Sequence, residues 1–106
     1  MGDRVNSVNI PQLGHIVRVI RGKDSGKYAV IIKVEDQRFV WIVDGDKRRF
    51  DQPKKKNILH LELLPYISSE VVHSLSESSR VTNSKLRFVI NKVVDQIQSE
   101  AHMKGE

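Results

Sequence analysis

Four cations, Arg18, Arg21, Lys23 and Lys27, and two glycines, Gly22 and Gly26, fall within ten positions of the segment RVIRGKDSGKYAVIIKV. A glycine followed by lysine is how a nucleotide-binding loop offers backbone N–H groups and an ammonium to phosphate. That loop needs four residues between its outer glycines, and a Ser or Thr after the lysine to open a helix. Here three residues separate Gly22 from Gly26, Tyr28 follows Lys27, and the continuation YAVIIKV is strand-like. No helix N-terminus is on offer to hold a pyrophosphate. The segment reads instead as a β-hairpin whose glycines take backbone angles that side chains resist, with Asp24 and Ser25 as turn formers.

Other chemistries find less support. His15, His60, His73 and His102 are scattered, without an i, i+4 pair or an accompanying carboxylate motif, which speaks against a metal site. No serine stands in a nucleophile elbow, and Glu35-Asp36 lies in a turn where solvation accounts for both carboxylates. The absence of cysteine excludes disulfides and thiolate metal sites, and suits the cytoplasm. The apolar runs are too short to cross a bilayer, and MGDRVNSVNIP lacks the apolar centre of a secretory signal. The expectation is a cytoplasmic protein that is not an enzyme, with no cofactor, no metal, no membrane and no small-molecule substrate.

The charge distribution is more informative. Residues 1–66 carry 13 Lys and Arg against 8 Asp and Glu, whereas residues 67–106 carry 5 of each. The net charge of +5 therefore belongs to the first part of the chain. Clustered cations attract a polyanion over about a Debye length. Beyond the first hairpin, Lys47, Arg48 and Arg49 follow VDG, and Lys54, Lys55 and Lys56 follow Pro53. Each of these taken singly is as well explained by a solvated surface charge. As a cluster they suit phosphate oxygens, provided the fold brings them together.

The elements that must do so are β-strands. HIVRVIR, YAVIIKV and RFVWIV are rich in β-branched residues and of strand length, with turn signals GKDSG, EDQ and DGD between them. A short RRF and then ILHLELL supply two more strands, the latter with Leu59, Leu61 and Leu63 on one face. Five short strands and tight turns predict a small closed or nearly closed barrel over residues 13–65. Pro53 belongs in the loop before the last strand, and Pro65 closes the β region. Tyr28 to Ile32 is apolar at consecutive positions, so that strand is covered on both faces, with Ile31 and Trp41 sharing the outer cover.

Residues 66–106 supply that cover as a helical extension. Ser68 or Ser69 caps a short helix through Leu75, and ESSRVTNS connects it to a second. The second starts at Thr82 or Asn83 and runs to about Ala101. Its residues Leu86, Val89, Ile90, Val93, Val94 and Ile97 form one apolar stripe. The stripe folds back on the barrel or first helix, or meets a second copy or another protein. Residues 1–12, polar and broken by Pro11, are expected to be a flexible arm.

GHIVRVIRGKDSGKYAVIIKV resembles a KOW motif, with Gly26 at its characteristic glycine. The ordered series from DSGK through VDG to KKKN-x-x-HL is similar to the ribosomal protein family called L-fourteen-e. It is more similar still to the short bacterial KOW proteins related to it. The resemblance covers residues 13–64 and implies an SH3-like five-stranded barrel, mainly β, here followed by two C-terminal helices. It also implies binding to structured, ribosomal RNA through Arg21, Lys23, Lys27, Arg48, Arg49, Lys54, Lys55 and Lys56. Charge clustering adds Arg18 and Lys47. The expected partners are RNA and the ribosome, with shape read rather than sequence. The rival expectation is a protein-interaction adaptor that grips a polypeptide through the barrel or the last helix.

Overall fold

The computed structural model describes residues 9–104, so most of the expected N-terminal arm lies outside the described residues. Five antiparallel strands come first: β1 (His15–Val19), β2 (Tyr28–Val34), β3 (Phe39–Val43), β4 (Lys54–Asn57) and β5 (Leu61–Ile67). A 3-10 turn, Ile58–His60, joins β4 to β5, and two helices follow, α1 (Ser69–Ser78) and α2 (Asn83–Lys104). The strand order is β4-β3-β2-β1-β5, with β4 and β5 as the two edges and no ladder between them.

Alternation along the strands divides the apolar residues between two cores. Val17, Val19, Ala29, Ile31, Val40, Ile42 and Leu61 form one connected cluster on the inner face, with Ile58 and Leu63 against it. The sheet curls far enough for β5 and β3 to share that cluster. The opposite face presents Ile16, Val30, Val43 and Leu64 to Val71, Val81, Leu86, Val89, Ile90 and Val93 of the helical region. Tyr28 and Ile32 pack on this outer core too, so β2 is covered on both sides. Ile31 faces inward rather than toward the helices, and Trp41 lies outside both clusters.

Several expected boundaries move. RRF is not a strand; the fourth strand is KKKN, held by the pairs Val40↔Lys56, Trp41↔Lys55 and Ile42↔Lys54. Pro53 therefore precedes the fourth strand. Leu59 falls in the 3-10 turn and is 74% exposed, so the leucine face begins only at Leu61. β5 continues through Pro65 to Ile67, which pairs with His15. Pro65 is tolerated because β5 is an edge and the β1–β5 ladder shifts register between His15 and Val17. Fully buried His15 has its Nε2 2.8 Å from the Leu64 carbonyl, and burial holds its pKa below the usual histidine value.

The helices start where side-chain caps are available. Ser68 Oγ accepts from the Val71 N–H at 3.2 Å, and Thr82 Oγ1 from the Lys85 N–H at 3.1 Å. Leu86, Val89, Ile90 and Val93 of the stripe on α2 are buried within their own chain, Leu86 completely, and Val94 and Ile97 are partly buried against the same core. No described helix is long and apolar enough to cross a membrane.

The start of α2 is also stitched to the β3–β4 loop. Asn83 Oδ1 accepts from the Phe50 N–H at 2.8 Å, and Arg87 Nη1 donates to the Gly45 carbonyl at 2.6 Å. Gly45 has φ of +81°, and a β-carbon there would overlap the Asn83 carbonyl oxygen and approach Leu86 Cβ to 2.9 Å. Gly45→Ala should therefore cost about 2–4 kcal/mol, from left-handed backbone strain plus overpacking. Gly26, at φ +92° with nothing within 4 Å, should lose only about 1 kcal/mol on the same change. Urea unfolding of both variants checks the difference, and equal losses would contradict the docking of α2 on this turn.

Candidate nucleic-acid interface

The first hairpin is closed by paired backbone bonds, Gly26 N–H to the Val19 carbonyl at 2.7 Å and Val19 N–H to the Lys27 carbonyl at 2.8 Å. Gly22 and Gly26 both lie at positive φ, +95° and +92°, as the turn requires. This hairpin leans toward β4. Lys56 Nζ reaches the Arg21 carbonyl at 3.5 Å, and Lys54 Nζ lies 3.8 Å from Asp24 Oδ2.

β4 treats its three lysines differently, because neighbours along a strand point to opposite faces. Lys54 and Lys56 pair with Ile42 and Val40, whose side chains belong to the inner core, and so lean across its mouth. Lys55 pairs with Trp41 on the other face. There its ammonium meets Glu35 Oε2 at 2.8 Å and lies 4.8 Å from the centre of the Phe39 ring. Trp41 Nε1 donates to the other oxygen of Glu35 at 2.9 Å. The Lys55 ammonium, and then the indole N–H, hold the Glu35 carboxyl below the usual glutamate range.

A cleft of about 80 Å³ collects cations distant in sequence: Lys27 from the first hairpin, Lys47 and Arg48 from the β3–β4 loop, and Lys54 from β4. Asp24 and Asp44 share its walls with Val19, Tyr28, Ala29 and Ile42. Lys27 and Lys47 stand side by side, and the Lys47 ammonium pulls the Lys27 pKa below the usual lysine value. The loop bearing Lys47, Arg48 and Arg49 is shaped by Asp44, whose Oδ1 accepts from the Asp46 and Arg48 N–H groups at 2.8 Å each. It is braced from behind by α2 through Gly45 and Phe50.

Of the ten cations singled out in the sequence, Lys27, Lys47, Arg48 and Lys54 line this cleft, with Lys56 and the Arg21 backbone adjoining it. Lys23 and Arg49 are exposed in their turns. Arg18 is held apart by Glu62, 2.9 Å away across the β1–β5 ladder, and Lys55 by Glu35. Sequence reasoning did not single out Asp44 and Tyr28 as parts of this site, and it placed Asp24 there only as a turn former and an acid interrupting the basic field. Nothing in the sequence couples position 24 to position 54; only the pairing of β4 with β3 brings them together. Among the described residues, no three His, Asp or Glu side chains gather as metal ligands.

Comparison with known proteins adds two findings. Residues 14–44 match the family model described as KOW motif, which spans the first three strands. The chain is also 54% identical over 44 residues to a protein of Bacillus subtilis (strain 168) named "Putative ribosome-binding protein YbzG". That match covers 42% of this chain and 60% of the relative's length.

The Glu35 contacts give a direct optical test, since Trp41 is the chain's one tryptophan. A carboxyl with a depressed folded pKa stabilises fully above its unfolded value of about 4.3 and loses that contribution as pH falls through the lower folded value. The pH titration of Trp41 emission should therefore show a midpoint below about 4.3 that Glu35→Gln removes. A midpoint at or above that value would contradict the Lys55–Glu35–Trp41 arrangement. Similarity to a KOW motif over the first three strands, and to a relative named "Putative ribosome-binding protein YbzG" over 60% of that relative's length, is what the comparisons establish for this chain.

Proposed function

We propose that this chain is a non-catalytic RNA-binding protein of the ribosome, contacting backbone phosphates of structured ribosomal RNA through its basic cleft. The observation that carries the reading is the convergence of Lys27, Lys47, Arg48 and Lys54 from three separate chain segments onto one surface. Asp24 and Asp44 offset only part of that charge, and backbone phosphate supplies one charge after another along a strand. The relative's name, which speaks of ribosome binding, supports the same reading, and the KOW match covers the hairpin that carries Lys27.

In this reading residues 13–65 act as an SH3-like barrel akin to the L-fourteen-e family, with β4 and β5 approaching across the 3-10 turn. Residues 66–106 brace its outer face and hold the β3–β4 loop in place. Lys27, Lys47, Arg48, Lys54 and Lys56 make the central phosphate contacts, and Arg21, Lys23 and Arg49 extend them at the rim. Gly22 and Gly26 serve by shaping the hairpin. Arg18 and Lys55 contribute least, because each is neutralised by its own carboxylate. The adaptor reading has weaker support. The exposed Leu59 and Phe88 lie on separate elements, and apolar residues scattered singly on a surface need no partner.

The alternation along β4 makes the reading testable with matched charge changes. Lys54→Glu with Lys56→Glu should weaken binding to ribosomal RNA by about 100-fold or more at low salt, losing two phosphate contacts and adding two repulsions. Lys55→Glu should weaken it less than about 5-fold, as a field effect alone. Filter binding measures both, with circular dichroism to verify folding. Equal effects of the two changes, or none, would contradict the cleft as the contact surface.

A further inference from the structure

Within the cleft the two carboxylates are not alike. Asp44 is committed to its own turn through two backbone N–H groups. The Asp24 side chain is the acceptor that faces the cations, with Oδ2 3.8 Å from Lys54 Nζ and Oδ1 4.0 Å from Lys27 Nζ. A charge-assisted hydrogen bond is about 2.7–2.9 Å long, so both contacts are loose. The carboxylate is one-third exposed, and its hairpin is held by backbone bonds from Ser25, Gly26 and Lys27, none of which uses it. It balances charge without building structure. Lys27 also has Lys47 against it, so three ammonium groups surround a space neutralised only in part by the loosely held Asp24 and the turn-bound Asp44.

We propose that the space between Lys27, Lys47 and Lys54 is the seat of one RNA backbone phosphate, and that Asp24 occupies it until that phosphate displaces it. The inference rests on the RNA-binding reading above and adds a regulator to it. A phosphodiester presents two anionic oxygens where the carboxylate presents its own two, so it can satisfy Lys27 and Lys54 together and reach Lys47 as well. Asp24 then swings to solvent, or stays close and repels the phosphate. In either case its charge opposes binding, and its removal strengthens the interaction. The free protein gains by the same means: an internal counter-ion lowers the repulsion among its lysines and discourages capture of stray anions.

The test uses the full chain and a short labelled RNA hairpin, because a backbone contact carries no sequence information and any duplex stem reports it. Asp24→Asn should bind about 3- to 10-fold more tightly at low salt, the expected effect of removing one like charge at contact range through a water-rich medium. The advantage should shrink toward high salt. Glu77→Gln on α1, which changes the net charge equally away from the cleft, should leave affinity unchanged. Lys27→Ala should weaken binding and lower the salt slope by about one counterion. Should Asp24→Asn perturb folding, Asp24→Ser removes the same charge with a turn-forming residue and carries the same expectation.

Unchanged or weakened affinity in a folded Asp24 variant would overturn the proposal. Saturation of the cleft by inorganic phosphate alone, with RNA affinity unmoved by Asp24→Asn, would also overturn it and assign the seat to a small anion. These failures are distinguishable from failure of the RNA reading. If the Lys54 and Lys56 reversals weaken RNA binding while Asp24→Asn does nothing, only the seat is lost.

Discussion

The ladder between β3 and β4 carries a strand made of three lysines and an asparagine, a sequence with little intrinsic preference for extended structure. Backbone pairing to Phe39–Val43 holds it, helped by lysine stems lying over apolar neighbours and by Lys55 between Glu35 and the Phe39 ring. Lysines on an edge strand also discourage pairing with another chain. This ladder decides the character of the surface. Once Lys54 and Lys56 must share a face with Ile42 and Val40, their ammonium groups are delivered to the first hairpin, and Lys55 is sent to the other side.

The second constraint is the division of the sheet into two apolar faces. The inner cluster fixes the curl that brings the β1–β2 hairpin over β4, and the outer cluster fastens the helices. α2 does more than cover the sheet. By taking the Phe50 N–H at Asn83 and gripping the Gly45 carbonyl with Arg87, it sets the loop that presents Lys47 and Arg48. The C-terminal region carries no net charge of its own, yet it positions part of the basic surface contributed by the first half of the chain.

Much of this was legible in the residues. β-branched runs marked β1, β2 and β3, the consecutive apolar stretch in β2 required cover on both faces, and the stripe from Leu86 to Ile97 marked α2. What stayed hidden depended on long-range pairing. KKKN carries no strand signal because its strand state comes from β3 and not from its own side chains. RRF reads as a strand because arginine and phenylalanine tolerate one, yet Arg48 and Phe50 are held in a loop by Asp44 and Asn83. Pro65 reads as a stop, and only its place on an edge strand lets β5 pass through it. For the same reason the ten cations could be gathered as candidates but not divided between the two faces.

The central claim is that cations of this cleft hold ribosomal RNA by its phosphates. Sedimentation of the wild-type chain with purified ribosomal particles, over a series of salt concentrations, tests it most directly. The account predicts that the chain travels with a ribosomal particle at low salt and is released steeply as salt rises, through displacement of phosphate contacts by counterions. Co-sedimentation that persists unchanged into high salt, or that is absent at every salt concentration, would contradict it.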